Sequence, residues 1–496
     1  MKTLHEPARE IPVIAQPDGL VAGAGPAGIG AAVAAARNGA RVMLVERYGF
    51  LGGNLTIAMV NPMFTFHDVN GRQVIRGIAG EVVDRLVELT GARGHVRDLT
   101  FDNASMTPFD PEGMKYLLFQ MVRDAGVELL LHSWVVDAIA ANGRVESIII
   151  ENKSGRQAIQ PKMVIDCSAD GDIAAKVGAP FNKGRETDGL MQPVTLFFRI
   201  GGVDDGRLRQ WMKQNRDLLK DSPSDEEIES HDAIALLGMQ ALVKAAMERG
   251  EFPADAAPRI LLYQLPIKGQ VAANCTRLQG IDGTNAADLT RAEILTREQA
   301  WKIHRFLRAH VGGFEESYIL DTGVQVGVRE TRHIIGDYML TEDDVLEGRA
   351  FPDGIACGTF AIDIHPPDGQ QQIFSGSGKS VYEIPYRSCT PIGFDNLLVA
   401  GRCISATHAA FGSARVMATS MGIGQGVGTA AAIAVRAGQT TRQVDTAALR
   451  TALIEQGQYL IDPRAETVQD PNLRLEKTEG SGERAAHHNP FAKPKH

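Results

Sequence analysis

Residues 21–30 read VAGAGPAGIG, with glycines at Gly23, Gly25 and Gly28. The apolar residues 20–23 end a short strand. The alanine-rich stretch running to Asn38 predicts a helix, which Gly39 stops, and ARVMLVER (40–47) predicts a second strand ending at Glu46. Counted from Gly23, the pattern is GxGxxGxxxAxxxAxxGxxVxLxE, through Ala32, Ala36, Gly39, Val42, Leu44 and Glu46. Each position has a physical reason. Gly23 allows a tight turn, Gly25 lets backbone approach a pyrophosphate, and Gly28 lets the helix pack on the strand. The helix start offers free N–H groups and a positive dipole end to the phosphate. Glu46, at the tip of the second strand, accepts the ribose hydroxyls of an adenosine and disfavours a 2′-phosphate.

The turn alone suits NAD and FAD equally. Its place near the start of the chain, with a second nucleotide-contacting segment near the other end, favours FAD. That segment is DNLLVAGRCIS (395–405), a buried strand ending in Ala-Gly. The helix after it carries Gly422, Gly424, Gly426 and Gly428. Its N-terminal dipole is expected to aim at the flavin ring, where reduced flavin carries negative charge.

The 496 residues allow several domains, and 44% apolar with 22% charged residues is ordinary for a globular protein. A net charge of −9 argues against a nucleic-acid footprint. The five cysteines are widely spaced, without a C-x-x-C pair, so neither a disulfide framework nor a metal or iron–sulfur site is expected, and a cytoplasmic location is. The N-terminus lacks a signal-type apolar core. Residues 416–435 carry no charge, but their glycines, Gln425 and hydroxyls predict a buried helix and not a membrane span.

The expected fold class is α/β, a Rossmann-type FAD-binding domain interrupted by a mixed α+β substrate or cap domain. Its first part is set at 1–185, the insertion at 186–385, and the C-terminal part at 386–460. The polar residues 468–496, with His487 and His488, are expected to form a disordered tail. Asn142-Gly143 predicts a hairpin. IFSGSGKSV (373–381) resembles a phosphate loop, but Ile373 stands where its first glycine belongs.

Beyond the glycine unit, the chain resembles the FAD-dependent oxidoreductase family, with a glutathione-reductase-type FAD fold. The segments carrying the resemblance are VERYGFLGGNLT (45–56), VIDCSADGDIA (164–174), GIDGTNAADLTRAEI (280–294), VGVRETRHIIGDYMLTEDDV (326–345) and IPYRSCTPIGFDNLLVAGRCISATHAAFGSARVM (384–417). The resemblance implies FAD contacts at Gly23, Gly25, Ala27, Gly28, Glu46 and Arg47, and at Gly52, Gly53 and Asn54 beside the ribityl chain or pyrophosphate. It implies Val136, Ala169 and Asp170 on the adenosine side and Gly401 and Arg402 at the pyrophosphate. Gly424 is added from the helix dipole. CSADGD stands where related sequences often read ATGDGD, and Ala409 and Ala418 stand where Glu and Pro are expected.

No second G-x-G-x-x-G appears, so a dedicated NAD(P)H domain is not expected. Electrons then pass through a substrate pocket or a partner. A flavin dehydrogenase needs a proton carrier, and histidine suits this. His408, a short loop after the FAD strand, is the candidate. His365 in IDIHPPDG is an alternative. Arg329 and Arg332 are candidates for binding a carboxylate or carbonyl of the substrate or for pairing with Glu330 and the acids of TEDD, Arg415 for supporting the flavin C2 carbonyl or the substrate, and Tyr386 and Arg387 precede a loop toward the flavin. The expected activity is hydride transfer between a small organic substrate and flavin N5. A flavin-dependent oxygenase with an external electron source, and a flavoprotein subunit of an electron-transfer complex, stay open. So does a homo-oligomer.

Overall fold

A computed structural model describes residues 2–461, apart from 99, 102, 232, 367–371 and 375–380. The expected tail, 468–496, and most of the 373–381 segment lie outside the described residues.

The centre is a parallel five-stranded sheet in the order Leu397–Val399, Met163–Asp166, Gly19–Ala22, Val42–Val45, Glu128–Leu130. The strands are short and fully buried apart from the last, which explains their continuous apolar runs. The opening strand leads through the glycine turn into the helix Pro26–Arg37, as the spacing predicts. Gly23 has φ 97°, and a Cβ there would lie 2.4 Å from the Cys167 carbonyl oxygen. A Cβ on Gly28 would lie 1.8 Å from the Gly23 carbonyl oxygen, so helix and turn touch through backbone alone.

The uncharged run near the C-terminus is the buried helix Met417–Ala437. It crosses the opening helix at backbone distance. A Cβ on Gly424 would lie 2.0 Å from the Ala27 oxygen, one on Gly428 2.2 Å from the Ala31 oxygen, and one on Gly30 2.3 Å from the Met421 oxygen. No helix among the described residues is long and apolar enough to cross a membrane. The sheet's other face carries the predicted hairpin, Trp134–Ala141 and Arg144–Asn152, whose turn residues Asn142 and Gly143 both have positive φ.

A second core, from Phe198 to Phe314, is separate. It holds an antiparallel sheet, Ala235–Gly238, Ile260–Gln264, Val271–Ala273, Phe198–Gly201, Tyr318–Thr322, and the long helix Ala286–His310. The insertion is narrower than the expected 186–385. Leu340, Phe351, Ile355, Ile362 and Tyr382 pack in the same core as the opening helix, because the strand pair Gly354–Gly358 and Tyr382–Pro385 lies against Met417–Ala437.

Candidate active site

A groove of about 1130 Å³, partly open to solvent, runs over the carboxyl ends of the parallel strands. Gly23, Gly25, Ala27, Glu46, Arg47, Gly53, Asn54, Ala169, Asp170, Gly401 and Arg402 line it. Gly25 sits at the helix start, which no side chain caps. A Cβ added to Gly25 would meet nothing closer than the Gly53 Cα at 3.9 Å, so this face of the turn is open. Gly53, with φ 52°, closes on it from the opposite loop, and a Cβ there would lie 2.7 Å from the Gly25 Cα. Glu46 is buried at the strand tip. Its Oε2 accepts from Ala24 N–H at 2.7 Å and its Oε1 from Tyr48 N–H at 3.0 Å. Both oxygens keep a further lone pair for ribose hydroxyls.

Arg47 donates to the Gln325 side chain at 2.7 Å and lies over the Trp134 ring, which also lines the groove. Asp166 ends the strand Met163–Asp166 and accepts from the Ser168 and Ala174 amides, both at 3.0 Å, which shapes the loop to Asp170. Burial pushes its carboxyl up from the usual range. Arg402 donates to Asp170 at 2.9 Å, while its other terminal nitrogen is buried without a hydrogen-bond partner among the described residues. An open glycine turn, an uncapped helix start, a carboxylate at the ribose position and an unmatched buried guanidinium nitrogen fit a dinucleotide. These residues would hold FAD.

A second cavity, of about 880 Å³, shares Asn54, Val328, Arg402, Arg415 and Met417 with the groove. Val416, the N-cap of the long C-terminal helix, lines it, so that helix starts where the two spaces meet. The remaining wall includes Phe64, Phe101, Phe197, Phe360, Tyr263, Arg259, Arg329, Asp363 and His365. His365 Nε2 lies 3.1 Å from Asp363 Oδ2. Burial holds the imidazole down to about 3, with Arg329 and Arg415 adding to it against the pull of Asp363. Arg329 donates to the Pro193 oxygen at 2.7 Å and to Thr195 Oγ1 at 2.6 Å. Arg415 donates to the Asp363 backbone oxygen at 3.2 Å and lies 3.5 Å from its carboxylate.

The structure does not bring every expected residue to these walls. Gly28 and Gly424 are spent on backbone packing. A Cβ on Gly52 would meet Thr56 and Leu118, away from the groove, and Trp134 and Val135 line it where Val136 does not. His408 stands outside both linings. It is buried with its Nδ1 2.7 Å from Glu330 Oε1, which His333 Nε2 also reaches at 2.9 Å. Burial pushes the Glu330 carboxyl up, but the two histidines together outweigh it and hold it down to about 2. Arg332 is taken up by Asp172 and the Asp170 carbonyl, Arg387 by Asp353, and the Tyr386 hydroxyl by the Thr441 carbonyl. The sequence reading passed over Asp363, Arg259 and the aromatic wall. These come from distant segments, and the one local signal was the acid two positions before His365.

A model of the family described as FAD dependent oxidoreductase matches residues 18–453, and the chain belongs to that family. It is therefore an enzyme whose cofactor is FAD. No curated protein matches. Similar solved structures include a geranylgeranyl bacteriochlorophyll reductase-like protein from Thermoplasma acidophilum, at 12% identity over 89% of this chain and 84% of that one, TM-score 0.43. A triple mutant of a flavin-dependent brominase matches at 14% over 89% and 84%, TM-score 0.44. The p-nitrophenol 4-monooxygenase of Pseudomonas putida matches at 13% over 90% of each chain, TM-score 0.44. Likeness of that degree says nothing of this chain's substrate.

Proposed function

We propose that this enzyme moves a hydride between a small organic substrate and the N5 of its FAD, with the substrate held in the cavity walled by Arg329, Asp363 and His365. The observation that carries this reading is the shared wall. Asn54, Val328, Arg402, Arg415 and Met417 face the nucleotide groove and the second cavity at once, so a molecule in one space abuts whatever fills the other. In this reading Gly23, Gly25, Glu46, Gly53 and Arg402 bind the dinucleotide, and the start of Met417–Ala437 places a dipole at the junction.

His365 takes the role that position in the chain suggested for His408. With Nε2–H donating to the Asp363 carboxylate, the neutral ring keeps a bare Nδ1, for which the described residues supply no hydrogen-bond partner. That nitrogen can accept a proton from a substrate hydroxyl or amine while hydride leaves the neighbouring carbon. The carboxylate fixes the tautomer and the ring orientation. Arg329 and Arg415 orient the substrate and hold negative charge that develops on it.

The test is anaerobic. The yellow protein is screened against hydroxy acids, sugars, amines and phenols, and a substrate is expected to bleach the flavin without any other reductant. Oxygen-dependent turnover that needs an added reductase, with labelled oxygen entering the product, would replace hydride transfer by oxygenation.

A further inference from the structure

The cavity wall is unbalanced in charge. Arg259, Arg329, Arg402 and Arg415 line it, and among the described residues Asp363 is the one carboxylate that does. Arg402 is bound to Asp170 and belongs to the shared wall. Arg415 is on that shared wall too, and Arg259 and Arg329 line the cavity alone. Arg329 donates only to neutral oxygens, those of Pro193 and Thr195, and neither it nor Arg259 pairs with a carboxylate among the described residues. Arg415 reaches Asp363 at 3.5 Å, and its Nε is buried without a hydrogen-bond partner among the described residues. Burial, helped by the repulsion of Arg415 and opposed by Asp363, pulls the Arg329 guanidinium down to about 9.

The wall is also aromatic, and the Arg259 guanidinium lies over the Phe101 ring at 6.0 Å. Phe64 meets Phe101 edge-on at 5.9 Å, Tyr263 edge-on at 6.0 Å and Phe360 at a tilt at 5.8 Å. Asp363, already engaged by His365 and Arg415, is not placed to neutralise three guanidinium groups. A desolvated cation keeps its penalty until an anion arrives, and a planar fork selects a carboxylate in two-point geometry.

We propose that the substrate is an organic anion, a carboxylate carried on an aromatic or similarly planar apolar body, with Arg329 and Arg259 gripping the carboxylate and the Phe64 cluster holding the body. This rests on reading the cavity as the substrate site. The carboxylate binds and orients, and the carbon that exchanges hydride lies elsewhere on the molecule, near His365.

The test uses the full-length protein as purified, with two separate readouts. Flavin absorbance reports whether it carries FAD. Calorimetric titration and the flavin difference spectrum report binding of four probes: benzoate, its uncharged amide benzamide, the cation benzamidine, and acetate. Benzoate is expected to bind at least about 10-fold tighter than any of the other three. Arg329→Gln and, separately, Arg259→Gln are expected to erase the preference for benzoate over benzamide while FAD stays bound. Equal binding of benzoate and benzamide, a preference for benzamidine, or no response to benzoate from the yellow protein would overturn the proposal. A protein that is colourless and takes up no FAD fails the flavin reading instead, so the two failures are told apart.

Discussion

His365 and His408 are both buried, and both touch a carboxylate. What separates them is the face each presents. His365 borders the cavity, and His408 is locked with His333 on Glu330 behind it. Chain position favoured His408, because it follows the strand Leu397–Val399 closely. The strand Ile362–Ile364 brings Asp363 and His365 to the cavity wall, a tertiary placement that chain position does not encode. His365→Asn is expected to leave FAD absorbance intact and to slow flavin reduction by substrate about 10²-fold. His408→Asn is expected to slow it far less, and stopped-flow reduction of both variants decides. Because burial holds His365 down to about 3, the reduction rate is expected to lack an acid limb near the ordinary histidine value of 6.5. A rate that halves near that pH would contradict the assignment.

Glu330 makes a second prediction at this scale. Its folded value, about 2, lies below the ordinary glutamate value of 4.5. The stability it contributes is therefore fully present above 4.5 and lost as pH falls from 4.5 toward 2. Glu330→Gln is expected to cost about 3 kcal/mol at neutral pH. The gap in melting temperature between wild type and variant should close as the pH drops through that window.

At the scale of the element, the glycines divide by what a side chain would meet. The strand–turn–helix–strand unit was legible in the spacing because hard-sphere contacts dictate it. Gly23 and Gly28 have backbone at 2.4 and 1.8 Å from a would-be Cβ. Gly424 was read toward the cofactor from the dipole of its helix. The dipole does reach the junction, but at Val416 and Met417, two turns earlier, and Gly424 serves contact with Ala27. Gly424→Ala is therefore expected to destabilise the protein by about 1–3 kcal/mol through overpacking, although alanine favours a helix by about 1 kcal/mol over glycine. Thermal melts check it. Gly25→Val is the counterpart, since its side chain enters the open groove. It is expected to leave the melt of the apoprotein nearly unchanged and to weaken FAD binding about 100-fold, roughly 2.7 kcal/mol.

At the scale of the whole molecule, two cores meet over one continuous space. The second core's strand Ile260–Gln264 brings Tyr263 and, just before it, Arg259 to the cavity, and Phe64 packs with Tyr263 in a smaller cluster. The strand Ile362–Ile364 and the residues ahead of Met417–Ala437, which pack in the larger core, bring Asp363, His365 and Arg415. The α/β class and the interruption were readable, because parallel strands bury both faces and their apolar runs are unbroken. The boundary at 385 was not. Residues 340–385 alternate strands and loops much as the insertion does, and only packing against Met417–Ala437 assigns them to the first core. The cavity itself was unreadable for the same reason. Its wall is assembled from segments between Asn54 and Met417, and no spacing within one segment encodes that closure.

The central claim is that the open glycine turn, Glu46 and Arg402 together grip a flavin dinucleotide. Calorimetric titration of FAD into the flavin-stripped protein, with Gly25→Val beside it, tests this most directly. Saturable binding of one FAD per chain by the wild type, weakened about 100-fold in the variant, is the predicted result. Equal binding by both proteins, or none by a correctly folded wild type, would contradict it.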